Sequence, residues 1–124
     1  DLGSVKIGPA QIEKAYNNLK SKINGNIKIT IAPHSIYVVS KETLIWCKKF
    51  SEEKKILIHI HLSETEEEVK NCLKKHYCRP VEYLERIGFL GSNVIAAHCC
   101  WLSDKEIKFW QNIKLAWRIV RRPI

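Results

Sequence analysis

Several features that mark other classes of protein are absent from this 124-residue sequence. It contains no methionine, no Cys-x-x-Cys pair and no long apolar run. A membrane-spanning helix needs about 18 or more consecutive apolar residues, so the pattern excludes one. The start, Asp1–Ser4, has no charged region leading into an apolar stretch, so no signal peptide is visible. Since there is no initiating methionine, we expect the chain to begin inside a longer one.

The number of cysteines, five, is odd, and no two of them have the spacing typical of metal ligands. Cys99 and Cys100 are adjacent and end an apolar run. An odd number of thiols fits reduced cysteines in a cytoplasmic protein better than a disulfide framework. A structural zinc held by cysteines is not expected either, because no two of them have the usual ligand spacing.

Charge is abundant and mostly mixed in sign. The formal net charge is +8, and a strongly basic chain can bind nucleic acid. Lys and Arg alternate with Glu along helix-like segments, however, and only Lys114–Arg122 is locally of one sign. No motif of a nucleic-acid-binding module is present. We therefore expect no nucleic-acid partner and no membrane partner, and keep a basic nucleic-acid-binding module as the least favoured alternative.

Apolar, β-branched runs alternate with segments of helical periodicity. The runs predict strands over about residues 27–32, 56–62 and 93–99, with helices between them. Thr65 and Glu68 have the spacing of a helix capping box. This alternation implies an α/β fold with three parallel strands and outer helices. Two of the strands are nearly all apolar, so we expect both faces of the sheet to be covered.

A histidine lies at the end of each predicted strand. His34 comes just after the first strand, His61 ends the second and His98 ends the third. In a parallel sheet these ends lie along one edge, where the three histidines can converge with Glu64. A histidine there can hold a metal that lowers the pKa of a water molecule, and a nearby glutamate can move the proton. We therefore predict a catalytic edge formed by these four residues.

Structural roles are also open to these residues. A histidine on a strand is often a hydrogen-bonded core residue, and Glu64 could be a charge favoured by the start of the following helix. His59 lies two residues before His61 and therefore points to the same face.

The segments that carry these residues resemble a known family. Pro33–Tyr37, His61–Thr65 and Ala96–Cys99 are similar to motifs of the amidohydrolase superfamily. The most similar branch is that of the methylthioadenosine/S-adenosylhomocysteine deaminases and related chlorohydrolases. Two intervening segments, Arg79–Leu84 and Leu102–Ile107, fit the same pattern. The resemblance covers most of this chain but only the middle of the family's longer chain.

This resemblance implies a partial (β/α)8 TIM-type barrel and a role for each residue at the predicted edge. The motifs before and after the second strand place it in mid-barrel, so His61 alone would be a metal ligand and His59, one layer deeper, would be a core histidine. Zinc is the expected ion and iron an alternative. Glu64 would be the acid/base that carries the proton of water to the substrate ring. His98 would orient the activated water or contact the metal, and His34 would contact the substrate. The implied reaction is hydrolytic deamination of an adenine-type ring in a purine nucleoside-like small molecule.

The chain also departs from the family pattern. The family's His-x-His ligands and its final Asp ligand do not belong to this segment. Asn112–Ala116 resembles the end of a family loop, whereas Trp117–Ile124 resembles nothing in the family. We therefore divide the chain into a central barrel segment, 1–112, and a divergent basic tail, 113–124. The isolated chain is expected to be inactive, and a non-catalytic remnant or truncated product of the family is the alternative. The sequence leaves the oligomeric state open.

Overall fold

The computed structural model describes residues 8–113, and most of the predicted tail lies outside them. The helices are α1 (Pro9–Lys20), α2 (Lys41–Lys54), α3 (Glu66–His76), α4 (Pro80–Arg86) and α5 (Asp104–Asn112). The strands are β1 (Thr30–Ile31), β2 (Leu57–Leu62) and β3 (Val94–His98). None of these helices is both long and apolar enough to cross a membrane.

The three strands form one parallel sheet, as predicted, and their order in it is β1-β2-β3. His61 lies opposite Ala97, and Leu62 lies opposite His98. Because β2 and β3 run in the same direction, the ends that carry their histidines meet at one edge. We call this the carboxyl edge of the sheet.

The first strand is shorter than the predicted run 27–32. Only Thr30 and Ile31 pair with β2. The N–H of Ile27 instead donates to the carbonyl of Asn24 at 3.1 Å, in a turn that follows α1. The β-branched run therefore predicted the strand, but its first residue, Ile27, belongs to this turn.

Helices cover only one face of the sheet within residues 8–113. Ile58, Ile60 and Leu62 alternate along β2 and are at most 2% exposed. They belong to one core with side chains from the helices, among them Leu44, Cys47, Cys72, Val81, Leu84 and Trp110.

The opposite face of the sheet is open, so two of the expectations are wrong. Leu57 and His59 point away from the helices and are exposed, so His59 is not a core residue. Nor are both faces of the sheet covered in the described part of the chain. The physical reason is that the interior of a barrel is filled by side chains from all its strands, and three strands cannot supply that layer.

A polar cluster lies at the amino-terminal edge of the sheet. The ammonium group of Lys48, which is largely buried, contacts the side chain of Asn93 and lies 3.3 Å from Glu52 Oε1. Asn93 Nδ2 donates to Ser51 Oγ at 2.8 Å, and the Asn93 carbonyl accepts from the N–H of Ile58 at 2.8 Å. We call Lys48, Ser51, Glu52 and Asn93 the amino-edge cluster. It joins α2 to the beginnings of β2 and β3.

Candidate active site at the carboxyl edge

The four residues singled out from the sequence lie together at the carboxyl edge. The ring centroids of His34 and His61 are 4.6 Å apart, and those of His61 and His98 are 5.4 Å apart. Glu64 Oε1 lies 3.5 Å from His98 Nε2. These distances establish a shared location, whereas the chemical roles expected for the four residues stay predictions.

The end of β1 orients the ring of His61. His61 Nδ1 lies 2.8 Å from the main-chain carbonyl oxygen of His34. A carbonyl oxygen only accepts hydrogen bonds, so the contact requires the proton on Nδ1. In the neutral form of the ring, the lone pair is then on Nε2. A histidine that donates through one nitrogen to a carbonyl is oriented to ligate a metal through the other.

His98 lies at an unusual turn of the backbone. Its φ is 72°, and that of the following Cys99 is 51°, both in the left-handed region. The N–H of Cys99 donates to the carbonyls of Leu62 at 2.9 Å and of Ala97 at 3.1 Å. A hydrogen bond across a single residue with positive φ is a rare and strained γ-turn. Such strain persists where surrounding contacts fix it, and it recurs at functional sites.

His34 lies at the mouth of an apolar cleft. Its side chain is exposed, its Nδ1 is 2.9 Å from Ser35 Oγ, and its ring lies 5.8 Å from that of Tyr37. The cleft has a volume of about 630 Å³ and runs between α1, α2 and β1, lined among others by Tyr16, Ile31, Val39, Cys47 and Phe50. His34 is thus accessible to a small molecule.

The loop that carries Glu64 is held by a residue whose role the sequence pattern did not reveal. The Glu68 carboxylate accepts from the N–H of Ser63 at 3.0 Å and from the N–H of Glu64 at 2.8 Å. Thr65 Oγ does accept from the N–H of Glu68 at 3.1 Å, as a capping box requires. The return bond goes to these two earlier residues, however. The Thr-x-x-Glu spacing signalled Glu68 but not its target.

The loops after β2 and β3 are tied together. The N–H of Trp101 donates to the carbonyl of Ser63 at 3.0 Å, and Arg79 Nη2 donates to the carbonyl of Trp101 at 2.6 Å. Arg79 Nε also bonds to the buried carboxylate of Glu106 at 2.9 Å. Glu106 in turn accepts from the N–H of Ser103 at 2.7 Å at the start of α5. Sequence motifs contained Arg79 and Glu106 without indicating that they join these loops.

The cysteine beside His98 is unsuited to be a nucleophile. Burial raises the pKa of the Cys99 thiol to about 12, so it is protonated at neutral pH. All five cysteines are free. The chemistry available at this edge therefore rests on the imidazoles and on Glu64.

Metal ligands are too few for a complete centre in the described part of the chain. Within residues 8–113 no group of three or more His, Cys, Asp or Glu side chains is arranged to hold a metal ion. A catalytic zinc site usually has three protein ligands. His61 and its neighbours can therefore form only part of such a site.

Comparisons with known proteins agree with this geometry. The amidohydrolase family model matches residues 4–120. The 5'-deoxyadenosine deaminase of Methanopyrus kandleri is 49% identical over 86 residues, which are 69% of this chain and 20% of that protein. The 5-methylthioadenosine/S-adenosylhomocysteine deaminase of Thermodesulfovibrio yellowstonii is 49% identical over 88 residues, or 71% of this chain and 20% of that protein.

Solved structures show the same fold. An adenosine deaminase from Xanthomonas campestris with bound zinc superimposes with a TM-score of 0.80 at 22% identity, covering 87% of this chain and 25% of that one. The chain thus spans about a fifth to a quarter of the length of these proteins, and its three strands are part of a (β/α)8 barrel. As the motifs predicted, the chain belongs to the amidohydrolase family.

Proposed function

We propose that this chain is a segment of a metal-dependent hydrolase that removes the amino group from an adenine-type ring in a purine nucleoside-like small molecule. The observation that supports it most is the shared edge of His61, Glu64 and His98, with Glu64 Oε1 3.5 Å from His98 Nε2. The relatives named above deaminate adenosine-type compounds, and all are much longer than this chain. The activity is therefore proposed for the assembled barrel.

The residues at the carboxyl edge are suited to supply part of the coordination shell of a metal ion. His61 donates through Nδ1 to the carbonyl of His34, which leaves Nε2 available as a ligand. We assign His61 as the metal ligand, with zinc as the ion, because imidazole suits zinc and a similar adenosine deaminase has zinc bound. A bound divalent ion would supply water with a lowered pKa and stabilise negative charge at the ring. Iron remains the alternative ion.

Glu64 is placed to move a proton. Its carboxylate is 39% exposed, so it can reach both water and a ring held at the edge. It takes a proton from the attacking water and returns it to the ring or to the departing amine. His98 lies beside it and holds the carboxylate and the water in line. His34, accessible at the mouth of the cleft, contacts the substrate close to the ring carbon under attack.

A second candidate is a non-catalytic remnant of the family. The observation that favours it is the absence of a three-ligand cluster within residues 8–113, together with the open inner face of the sheet.

Five free thiols suit a reducing compartment in either case, so we place the protein in the cytoplasm.

The test needs a polypeptide in which this segment is continuous with the remaining barrel strands. Conversion of the adenine ring of S-adenosylhomocysteine or methylthioadenosine to the hypoxanthine ring is followed by ultraviolet absorbance. Glu64→Gln should retain the metal and lose at least about a hundredfold in kcat, because it keeps the shape and loses the proton carrier. Glu67→Gln, which removes an equal charge from an exposed position of α3, is the control. A fully active Glu64→Gln variant would contradict the proposed acid/base.

A further inference from the structure

We propose that Glu68 is a positioning residue that holds Glu64 against His98 through the backbone. The inference rests on the proposed role of Glu64, but the contacts that carry it are independent of that role. Glu68 lies in the first turn of α3, four residues after Glu64, and is only 7% exposed. It acts on the loop between β2 and α3.

Glu68 binds two successive peptide units of that loop. Oε1 accepts from the N–H of Ser63 at 3.0 Å, and Oε2 accepts from the N–H of Glu64 at 2.8 Å. Adjacent N–H groups that converge on one anion form a compact anion-binding arrangement. Hydrogen bonds to an ionised acceptor are shorter and stronger than neutral ones, and burial keeps water from competing. Each oxygen of Glu68 thus fixes one peptide unit.

The loop needs this support because its backbone is strained. Ser63 has a φ of 48°, a region that residues with a side chain seldom adopt. The Ser63 hydroxyl is buried and has no hydrogen-bond partner within residues 8–113, so its own side chain does not hold the turn. The carbonyl of Ser63 accepts from the N–H of Trp101, and the N–H groups of Ser63 and Glu64 both donate to Glu68. The direction in which Glu64 leaves the loop therefore depends on Glu68.

The helix start places Glu68 with the required accuracy. Thr65 Oγ accepts from the N–H of Glu68 at 3.1 Å and fixes the first turn of α3. The positive end of the helix dipole also favours a carboxylate at this position. The preceding residue, Glu67, has the same charge and lies in the same turn of α3 but is exposed. Substituting Glu67 therefore gives a control matched in charge and helix position.

Amide hydrogen exchange in the 124-residue chain tests the positioning directly. In Glu68→Gln the side-chain NH₂ faces an N–H donor, so one of the two bonds is lost. We expect the amide that faces the NH₂ group, Ser63 or Glu64, to exchange about tenfold faster or more, since a bond to a charged acceptor contributes at least that factor. The amides of β2 and the Glu67→Gln variant should match the wild type. Unchanged protection at Ser63 and Glu64 would overturn the proposal.

A second variant distinguishes a local effect on the loop from a general loss of structure. Glu68→Asp keeps the charge beside the helix start but is one methylene shorter, so it cannot span both amides. It should release Ser63 or Glu64 while β2 stays protected. If both variants lose protection throughout β2, Glu68 supports the fold as a whole and the positioning role is wrong.

Kinetics in the longer polypeptide separate positioning from binding. Glu68→Gln should lower kcat about tenfold to a hundredfold and change KM by less than about threefold, because a displaced acid/base affects the chemical step more than substrate binding. An unchanged kcat would overturn the proposal. If the wild-type polypeptide has no deaminase activity, the proposed function fails, whereas hydrogen exchange still decides whether Glu68 holds the loop.

Discussion

The main-chain carbonyl of His34 accepts a hydrogen bond of 2.8 Å from Nδ1 of His61. This contact from the segment after β1 therefore determines which ring nitrogen of His61, near the end of β2, is available to a metal. Substituting the side chain of His34 would leave this carbonyl in place. Loss of the His34 ring should therefore affect substrate contact without freeing the ring of His61.

The 124-residue chain alone should bind zinc weakly and show no deamination. The reason is that His61, with His98 as its nearest neighbouring imidazole, falls short of the three ligands of a usual catalytic site. After incubation with zinc and gel filtration, elemental analysis should find well under one zinc per chain. Robust turnover of S-adenosylhomocysteine by the chain alone would show that the ligands have been misidentified.

His61→Ala should abolish metal retention in the polypeptide that contains the remaining strands. His59→Ala is the matched control, because His59 lies two residues earlier on the same face of β2 and is exposed. Its loss should leave the metal content within about a factor of two of the wild type, since a site of this kind depends on its own ligands. Elemental analysis of both purified variants distinguishes them. Equal metal loss in the two would assign the metal to the wrong histidine.

Arg79→Ala should lower the free energy of unfolding by about 2–4 kcal/mol, because it leaves the buried carboxylate of Glu106 without its cation. The Glu106 side chain is 8% exposed, and Arg79 also bonds to the carbonyl of Trp101. Arg86→Ala is the control, since its pair with Glu82 lies on the surface and should contribute less than about 0.5 kcal/mol. Urea unfolding followed by circular dichroism measures both. Similar losses for the two variants would contradict the inferred link between the loops.

Alkylation should distinguish Cys100 from the buried thiols. Burial raises the pKa of Cys47 to about 11 and the pKa values of Cys72 and Cys99 to about 12. The thiolate is the reactive form, so at pH 8 about one in a thousand or fewer of these thiols is reactive. Raising the pH increases that fraction but keeps it small below pH 10. Mass spectrometry after iodoacetamide should show one label, on the exposed Cys100, and five after unfolding. Rapid labelling of Cys99 would contradict the raised pKa of this half-buried thiol.

The sequence predicted the sheet and the convergence of its histidines because both depend on local patterns. Apolar runs that alternate with segments of helical periodicity predict parallel strands. The position of a strand end then determines the position of a histidine located there. His34, His61 and His98 therefore meet at the carboxyl edge for the same reason that the strands are parallel.

These patterns did not predict the burial of individual residues or the contacts within loops. Whether His59 is covered depends on strands that this segment does not contain, so the layering of a complete barrel did not predict its exposure here. The target of the Glu68 carboxylate depends on the φ of Ser63, and a Thr-x-x-Glu spacing does not encode that angle. The length of β1 was overestimated because the turn at Ile27 competes with strand pairing.

The amino-edge cluster has a consequence for how such a barrel can evolve. Lys48 and Asn93 join α2 to the beginnings of the strands, at the end of the sheet opposite to His61 and His98. The amino-edge cluster is therefore separate from the residues that would face a substrate. Substitutions in the loops after β1, β2 and β3 can therefore change what the site accepts while the contacts of the amino-edge cluster stay in place, and those contacts help to offset the stability that such substitutions cost.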